Sequence, residues 1–406
     1  MTSAVKFGSP EINKPECRVL HVLSVLGIGG AETWLIALLK YFEQVKKELP
    51  VRLRIDICLT GGRKTHFDEE ASSLGAKLFY PHYCRKSLHF FIREFRRILV
   101  NGRYHAIHDH QDYTAGLHFL FGLGHLPPIR IAHIHSPFIH IENYASSILR
   151  RITISTGKKL LTNLATHIMG TSHQIVTEYG FDNSSFKKVK LGAAYCGFDV
   201  SRFLGNHENF HNELCSEFSF NKRSKIILFI GRLLSGNNPN LNQKNPDFAL
   251  EVAKECIVKD PSICMLMAGS GDEIRKIFEY RVKDWGLSKN IRLIGPRSDV
   301  PRLMLGSDLL LFPSLCEGLG MVAVEAQAAG LRILASDSIP HECAVVPGMV
   351  EFLPLNAGFS VWADTAIRLV SSPPLDPSTC NLAVKNSPFS IVNSAAHLFR
   401  LYTGVE

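Results

Sequence analysis

Short apolar runs that alternate with stretches of helical periodicity constrain this 406-residue chain more than any other feature. Residues 18–25 (RVLHVLSV) are mostly apolar and end in a glycine loop at 26–30. They lead into 31–42, where Leu35, Leu38, Leu39 and Phe42 recur at helical spacing. The pattern repeats at 53–59 then 67–74, 106–110 then 113–121, 129–135, 166–171 then 172–179, and 189–192. Strand followed by helix in this way implies a parallel sheet covered on both faces, hence α/β class. A polar stretch at 201–223 interrupts the series, which then restarts with 225–230, 247–259, 263–268, 273–285, 291–294, 309–312, 321–330 and 333–335. Two Rossmann-like parallel-sheet domains are therefore expected, 1–200 and 201–387, facing across a cleft. Ligands of such sheets bind at the carboxyl ends of the strands. A final helix at 390–402 opens with Ser390 at its N-cap and is free to pack away from the second sheet.

Composition narrows the class. With 46% hydrophobic and 20% charged residues the chain is neither disordered nor fibrous. Its ten cysteines never form a CxxC, so no zinc quartet is expected and the thiols read as buried small hydrophobes in a reducing compartment. The polar first seventeen residues and the lack of a long apolar run point to a cytoplasmic protein. Residues 1–200 hold 25 Lys and Arg against 16 Asp and Glu, which is the entire surplus of the net +8 chain, and 14 of the 18 histidines. The first half is thus expected to meet something anionic, such as a membrane surface. Nothing in the pattern calls for nucleic acid.

The segment 313–330 (PSLCEGLGMVAVEAQAAG) follows the apolar run 309–312 and places Glu317 and Glu325 on either side of a glycine turn into a helix. The amides of Gly320, Met321 and Val322 would open that helix, where unpaired N–H groups and the macrodipole favour phosphate. The second domain starts with Gly231 and Arg232, and Lys244 follows after eleven residues rich in Asn, Gly and Pro that can loop out. Gly29-Gly30 and Gly269 sit at strand-to-helix turns, but no third glycine completes a dinucleotide fingerprint. Two H-x-H pairs, His108/His110 and His133/His135, each project to one side of a strand, a spacing open to metal ligation or to ordinary core histidines. Residues 85–99 form a basic amphipathic helix. Phe90 lies off its apolar face, which suits either packing or contact with anionic lipid.

The string PS-x-x-EGLG with E-x7-E, together with GRL…KN, GGAE at Gly29 to Glu32 and the strand ending at His135, resembles the group 1 retaining glycosyltransferases, family four, of GT-B fold. The resemblance implies a metal-independent enzyme without a cofactor that moves a hexose-type sugar from a nucleotide diphosphate, UDP foremost, to a glycan or lipid-linked acceptor. It implies that Glu317 and His135 position the sugar, Arg232 and Lys244 neutralise the leaving diphosphate, and Glu325 holds the ribose. Gly29, Gly30, Gly269, Gly320, Met321 and Val322 would line the donor site by their backbones. It also implies that the last helix, within 388–406, crosses back to the first domain. A sugar-nucleotide epimerase on the same fold, or a non-catalytic nucleotide-binding scaffold, are the rival readings. The eleven residues between Arg232 and Lys244, a longer spacer than is usual in the family, and Cys196, standing where the family has Asn, are departures from its pattern.

Overall fold

The computed structural model describes residues 14–143, 147–181, 188–234, 242–372 and 375–404. The first lobe holds strands β1 (Glu16–Leu23), β2 (Arg52–Leu59), β3 (Leu78–Phe79), β4 (Ala106–Asp109), β5 (Ile129–Ile134), β6 (His167–Gly170) and β7 (Lys190–Ala193). Between them run α1 (Gly30–Val45), α2 (Asp68–Ser73), α3 (Leu88–Gly102), α4 (Thr114–Phe121), α5 (Phe138–Asn143), α6 (Ile148–Leu164) and α7 (His173–Glu178). The second lobe holds α8 (His207–Phe218), β8 (Lys225–Ile230), α9 (Pro246–Lys259), β9 (Ile263–Ala268), α10 (Asp272–Asp284), β10 (Ile291–Gly295), α11 (Val300–Leu305) and β11 (Leu309–Phe312). It continues through α12 (Met321–Ala328), β12 (Arg332–Ser336), β13 (Val350–Leu353), α13 (Phe359–Val370) and α14 (Pro377–Asn386), and α15 (Ile391–Thr403) ends the chain.

Both sheets are wholly parallel, in the orders β3-β2-β1-β4-β5-β6-β7 and β10-β9-β8-β11-β12-β13. Chain direction across each sheet reverses beside its first strand, so helices cover both faces and a crevice opens at the carboxyl ends of β1/β4 and β8/β11. In the first lobe α1 and α15 pack on one face while α3, α4, α6 and α7 pack on the other. In the second, α8, α11, α12 and α14 oppose α9, α10 and α13. The central strands are apolar along their whole length because neither face meets water: all six residues of β9 are buried.

Helix α15 returns to the first lobe, as the resemblance implied. Phe198 N–H donates to Phe389 O at 3.0 Å and Ile391 N–H to Phe198 O at 2.9 Å, pairing the two crossing segments. Trp34 Nε1 then donates to Ser394 Oγ at 3.1 Å, and Tyr402 is fully enclosed.

The polar stretch 201–223 is not a plain connector, which corrects the sequence reading. It contains α8, whose narrow stripe of His211, Leu214 and Cys215 is buried against the second sheet. Asn206 caps its start and Ser219, in the left-handed region at φ 57°, ends it. Helices α6, α13 and α14 and strand β13 were also not foreseen. Among the described residues no helix is long and apolar enough to cross a membrane.

Candidate functional site

The turns after β8, β9 and β10 are laced together. Gly231 N–H donates to Ala268 O at 3.0 Å, Leu233 N–H to Ser270 O at 2.7 Å and Gly269 N–H to Gly295 O at 2.8 Å. A Cβ on Gly269 would lie 1.7 Å from the Gly231 carbonyl oxygen, so only glycine allows this approach. Lys244 packs directly on Gly231, where an added Cβ would meet its side chain at 2.9 Å. The intervening residues 235–241, on which the looping-out expectation rests, lie outside the described residues. Their far end is held by Leu315 N–H on Gln243 O at 2.9 Å and by Gln243 Nε2 on Cys316 O at 3.0 Å.

That strap delivers Lys244 to Glu317. Nζ and Oε1 are 2.6 Å apart, and Ser314 Oγ donates to the same oxygen at 2.7 Å. Glu317 is buried; Arg232 is exposed and enters no ion pair among the described residues. It faces the first lobe closely enough for its charge to help burial hold the His140 imidazolium down. Gly320, at φ 92°, sets the N-terminus of α12, with Met321 and Val322 as its first residues. Glu325 follows one turn on. Enclosure pushes its carboxyl up to about 7, against the opposing pull of Arg202 and Lys244.

The other wall comes from the first lobe. Gly318 touches the end of β5: a Cβ there would lie 2.3 Å from His135 O, and Ser172 Oγ donates to Gly318 O at 2.8 Å. Met321 packs against the apolar clusters of both lobes, which brings the start of α12 to the side of the first lobe that carries α1. Gly30 begins α1 with open space where a side chain would stand. Thus Arg232, Lys244, Gly269, Glu317 and Glu325 gather around one set of turns at the strand ends, with His135 opposite. Glu342 ties the lobes together, accepting from His173 N–H at 3.0 Å, Gln174 N–H at 3.1 Å and Tyr195 Oη at 2.8 Å.

His135 is held twice over. Asp112, in the left-handed region at φ 49°, accepts from the backbone N–H of His135 at 2.7 Å and of Ser136 at 3.2 Å. Burial pushes the Asp112 carboxyl up to about 6 despite those bonds. The His135 ring contacts His110, the last of a chain of hydrogen-bonded side chains. Nδ1 of His133 pairs with Nε2 of His108 (3.1 Å), and Nδ1 of His108 with Tyr402 Oη (2.6 Å). Tyr402 Oη pairs with Nε2 of His21 (3.1 Å), Nδ1 of His21 with Nε2 of His110 (2.9 Å), and Nδ1 of His110 with Nε2 of His135 (3.0 Å). Burial lowers all five imidazoles, His135 to about 4 and His21 to about 3, so they are neutral at pH 7. His135 can therefore offer the site a hydrogen bond but not a cation. Sequence reasoning missed His21, Asp112, Arg202 and Tyr402; the apolar strand and helix patterns around His21 and Tyr402 hid them as core positions.

Residues 212–349 match the family model described as glycosyl transferases group 1. Over these residues the chain carries a group 1 glycosyltransferase domain. It is 28% identical over 366 residues to a protein named putative glycosyltransferase EpsF from Bacillus subtilis (strain 168), covering 89% of this chain and 90% of that one. It is 23% identical over 349 residues to the Escherichia coli UDP-Gal:alpha-D-GlcNAc-diphosphoundecaprenol alpha-1,3-galactosyltransferase, covering 83% and 84%. Among solved structures, Anabaena Alr3699/HepE in complex with UDP-glucose superposes with a TM-score of 0.72 at 15% identity, over 96% of this chain and 100% of that one, which shows the same GT-B fold.

Proposed function

We propose that this glycosyltransferase is retaining and metal-independent, taking a hexose-type sugar from a UDP-sugar to a hydroxyl of a lipid-linked or glycan acceptor in surface polysaccharide or glycolipid synthesis. The observation that carries the reading is the Lys244–Glu317 pair standing beside Arg232 and the N-terminus of α12. In this reading residues 201–387 bind the donor, with the diphosphate against Arg232, Lys244, the turns at Gly231 and Gly269 and the amides of Gly320, Met321 and Val322. Two fixed cations offset the charge that develops as the sugar leaves, a stabilisation worth most in an enclosed site. Glu317 and His135 hold sugar hydroxyls, and Glu325 holds the ribose. Residues 1–200, with α15 packed on them and Gly29-Gly30 at the mouth, bind the acceptor and set it on the face the diphosphate leaves.

The acceptor side suits a lipid-linked substrate at the cytoplasmic face of a membrane. Arg93, Arg96 and Arg97 of α3 and Arg150, Arg151 and Lys159 of α6 lie on the helices covering one face of the first sheet. Phe90, Ile148, Leu149 and Ile152 are each more than half exposed among them. Two relatives support the donor and acceptor classes: one carries UDP-glucose in its solved structure, and the other is named for transfer from UDP-Gal to a diphosphoundecaprenol-linked sugar. Calorimetry with a panel of nucleotide sugars, followed by transfer of labelled sugar to a diphosphoundecaprenol-linked acceptor, tests the reading. Binding of UDP-sugars with acceptor-dependent transfer supports it. An epimer formed without acceptor, or no turnover with any acceptor, overturns it.

A further inference from the structure

A cavity separate from the cleft lies at the other end of the first sheet. The cleft opens at the carboxyl ends of the strands, whereas Arg18, Arg54 and Asp56 stand nearer the amino ends of β1 and β2, with Arg18 opposite Arg54 and Leu20 opposite Asp56. Side chains alternate along a strand, and Leu20 belongs to the apolar cluster under α3, so Arg18, Arg54 and Asp56 all project to the α3 side. From Arg18 to Leu23, at the cleft end of β1, is about 16 Å at the rise of a strand.

The cavity has a volume of about 180 Å³, and Arg18, Asp56, Lys77, Phe79, Arg97 and Tyr104 take part in its lining. The last turns of α3 form one wall. Tyr104 follows that helix and lies on Gly102, where an added Cβ would come within 1.9 Å of the tyrosine ring.

The floor carries a buried carboxylate. Tyr104 Oη donates to Asp56 Oδ2 at 2.9 Å. Arg18 approaches Oδ2 at 3.8 Å and Arg54 approaches Oδ1 at 3.5 Å, contacts that pair charge without forming hydrogen bonds. Arg18 Nε and Asp56 Oδ1 are accordingly buried with no hydrogen-bond partner among the described residues. Asp56 thus draws Arg18 to the cavity by charge and leaves its N–H groups uncommitted. Lys77 is exposed, enters no hydrogen bond or ion pair among the described residues, and holds Nζ 5.0 Å from the centre of the Phe79 ring. Arg97 has only an exposed contact with Glu94 at 3.5 Å.

Charge and size together select a ligand. Three cations against one carboxylate leave the lining at +2, which matches a phosphate monoester, about −1.5 to −2 near neutral pH. Guanidinium N–H groups meet phosphate oxygens in pairs, which a carboxylate-bound arginine with unspent donors can still do. A cavity of about 150 Å³ holds a benzene ring, whereas pockets for drug-sized molecules start near 300 Å³, so a nucleotide is too large. A phosphate on a three-carbon polyol is of the right size, with its carbons against Phe79 and its hydroxyls toward the wall of Asp56 and Tyr104.

We propose that this cavity is a second ligand site, separate from the sugar-transfer cleft, which takes a small phosphate monoester of the glycerol phosphate class on Arg18, Lys77 and Arg97. Asp56 is a positioning residue that holds Arg18 at the site. The ligand is free in solution rather than a lipid headgroup. A headgroup diester carries a single negative charge, and the exposed Phe90 stands about 18 Å from Gly102 along the axis of α3, away from the cavity. No part of the proposal rests on the donor reading.

Calorimetry of the full-length protein with glycerol 3-phosphate, repeated on Arg18→Met, Lys77→Gln and Arg232→Ala variants, is the test. One site per chain with Kd below about 1 mM is expected. Arg18→Met should weaken binding at least about ten-fold, the loss of a charge-assisted contact, and Lys77→Gln about three-fold, while Arg232→Ala leaves it unchanged. Lys77 is exposed and holds no other group, so its variant decides if Arg18→Met does not fold. No binding up to about 10 mM overturns the proposal. Binding that Arg232→Ala abolishes and Arg18→Met spares also overturns it, by putting the phosphate in the cleft. Sulfate that competes as tightly as glycerol 3-phosphate would show an unspecific attraction for anions and overturn the ligand class. Phosphatidylglycerol vesicles distinguish the lipid source: if Arg18→Met weakens vesicle binding while the soluble ester does not bind, the cavity takes a headgroup and the proposal fails. Failure of the donor reading would appear separately, as no binding of UDP-sugar to wild type and Arg18→Met alike.

Discussion

Glu325 titrates close to neutrality, and that has a measurable consequence. A carboxylate accepting from ribose hydroxyls binds better than a carboxylic acid, so nucleotide binding should pull the carboxyl down from about 7 and release a proton. UDP affinity is expected to rise several-fold from pH 6 to pH 8. Calorimetry in buffers of different ionisation enthalpy should show proton release near pH 7, and Glu325→Gln should abolish both effects. Proton uptake would reverse the assignment. Lys244 and Glu317 give a second residue-scale prediction. Removing one member of a largely enclosed pair leaves the other charge without its partner. Lys244→Met should therefore cost about 2 kcal/mol in urea unfolding, and Lys244→Met with Glu317→Gln should cost less than the sum of the single changes. Additive costs would show that the 2.6 Å contact contributes nothing. Both acids and Arg232 were legible from the string 313–330 and from GRL because each sits beside a glycine turn that needs its own sequence signature. Asp112 was not, since a left-handed aspartate that holds two amides leaves no spacing to read.

At the scale of elements, the turn into α12 is the part least tolerant of change. Gly320 adopts φ 92° and a Cβ there would press on Phe312 at 3.0 Å, so Gly320→Ala combines backbone strain with a clash. A stability loss of about 1–2 kcal/mol is expected, with donor affinity falling further than stability because the helix amides are displaced. Thermal unfolding beside UDP titration separates the two; equal effects on both would mean that the turn serves folding alone. The alternation that gave the two sheets was legible because buried parallel strands must be apolar along their whole length. Helix α8 was not, because only His211, Leu214 and Cys215 of its twelve residues are buried and, apart from the half-buried Phe210 and Phe218, the rest are polar. Helix α6 was missed for a related reason. Its first two turns are exposed, with Ile148, Leu149 and Ile152 facing outward, and only Ile154, Gly157 and Leu161 mark its inner face.

The whole molecule stores its five neutral histidines in the lobe with the excess of positive charge, and acid should exploit this. Each ring takes up a proton near pH 6.5 once unfolded but resists until much lower pH when folded, His135 to about 4 and His21 to about 3. Between pH 6 and pH 4 the unfolded chain binds more protons, so stability falls as pH falls, by about 1.4 kcal/mol per pH unit for each ring. Denaturant midpoints measured across this range should fall with a slope of several protons, and a slope below two would mean that the rings are charged when folded. The same lobe should bind membranes through a different set of groups. The arginines of α3 and α6 flank exposed Phe90, Ile148, Leu149 and Ile152, and an anionic surface attracts each basic side chain by about 1 kcal/mol while the apolar groups enter the interface. Sedimentation with vesicles containing about a third phosphatidylglycerol should carry the protein down at low salt, and neutral vesicles should not. Salt should weaken the binding, because its range is a Debye length of about 10 Å at 0.1 M. Ile148→Ser with Leu149→Ser should weaken binding while leaving UDP affinity unchanged, since neither side chain lies at the strand ends proposed to hold the donor. Equal binding to both kinds of vesicle, or none to either, would leave the charge of the first lobe to some other anionic partner.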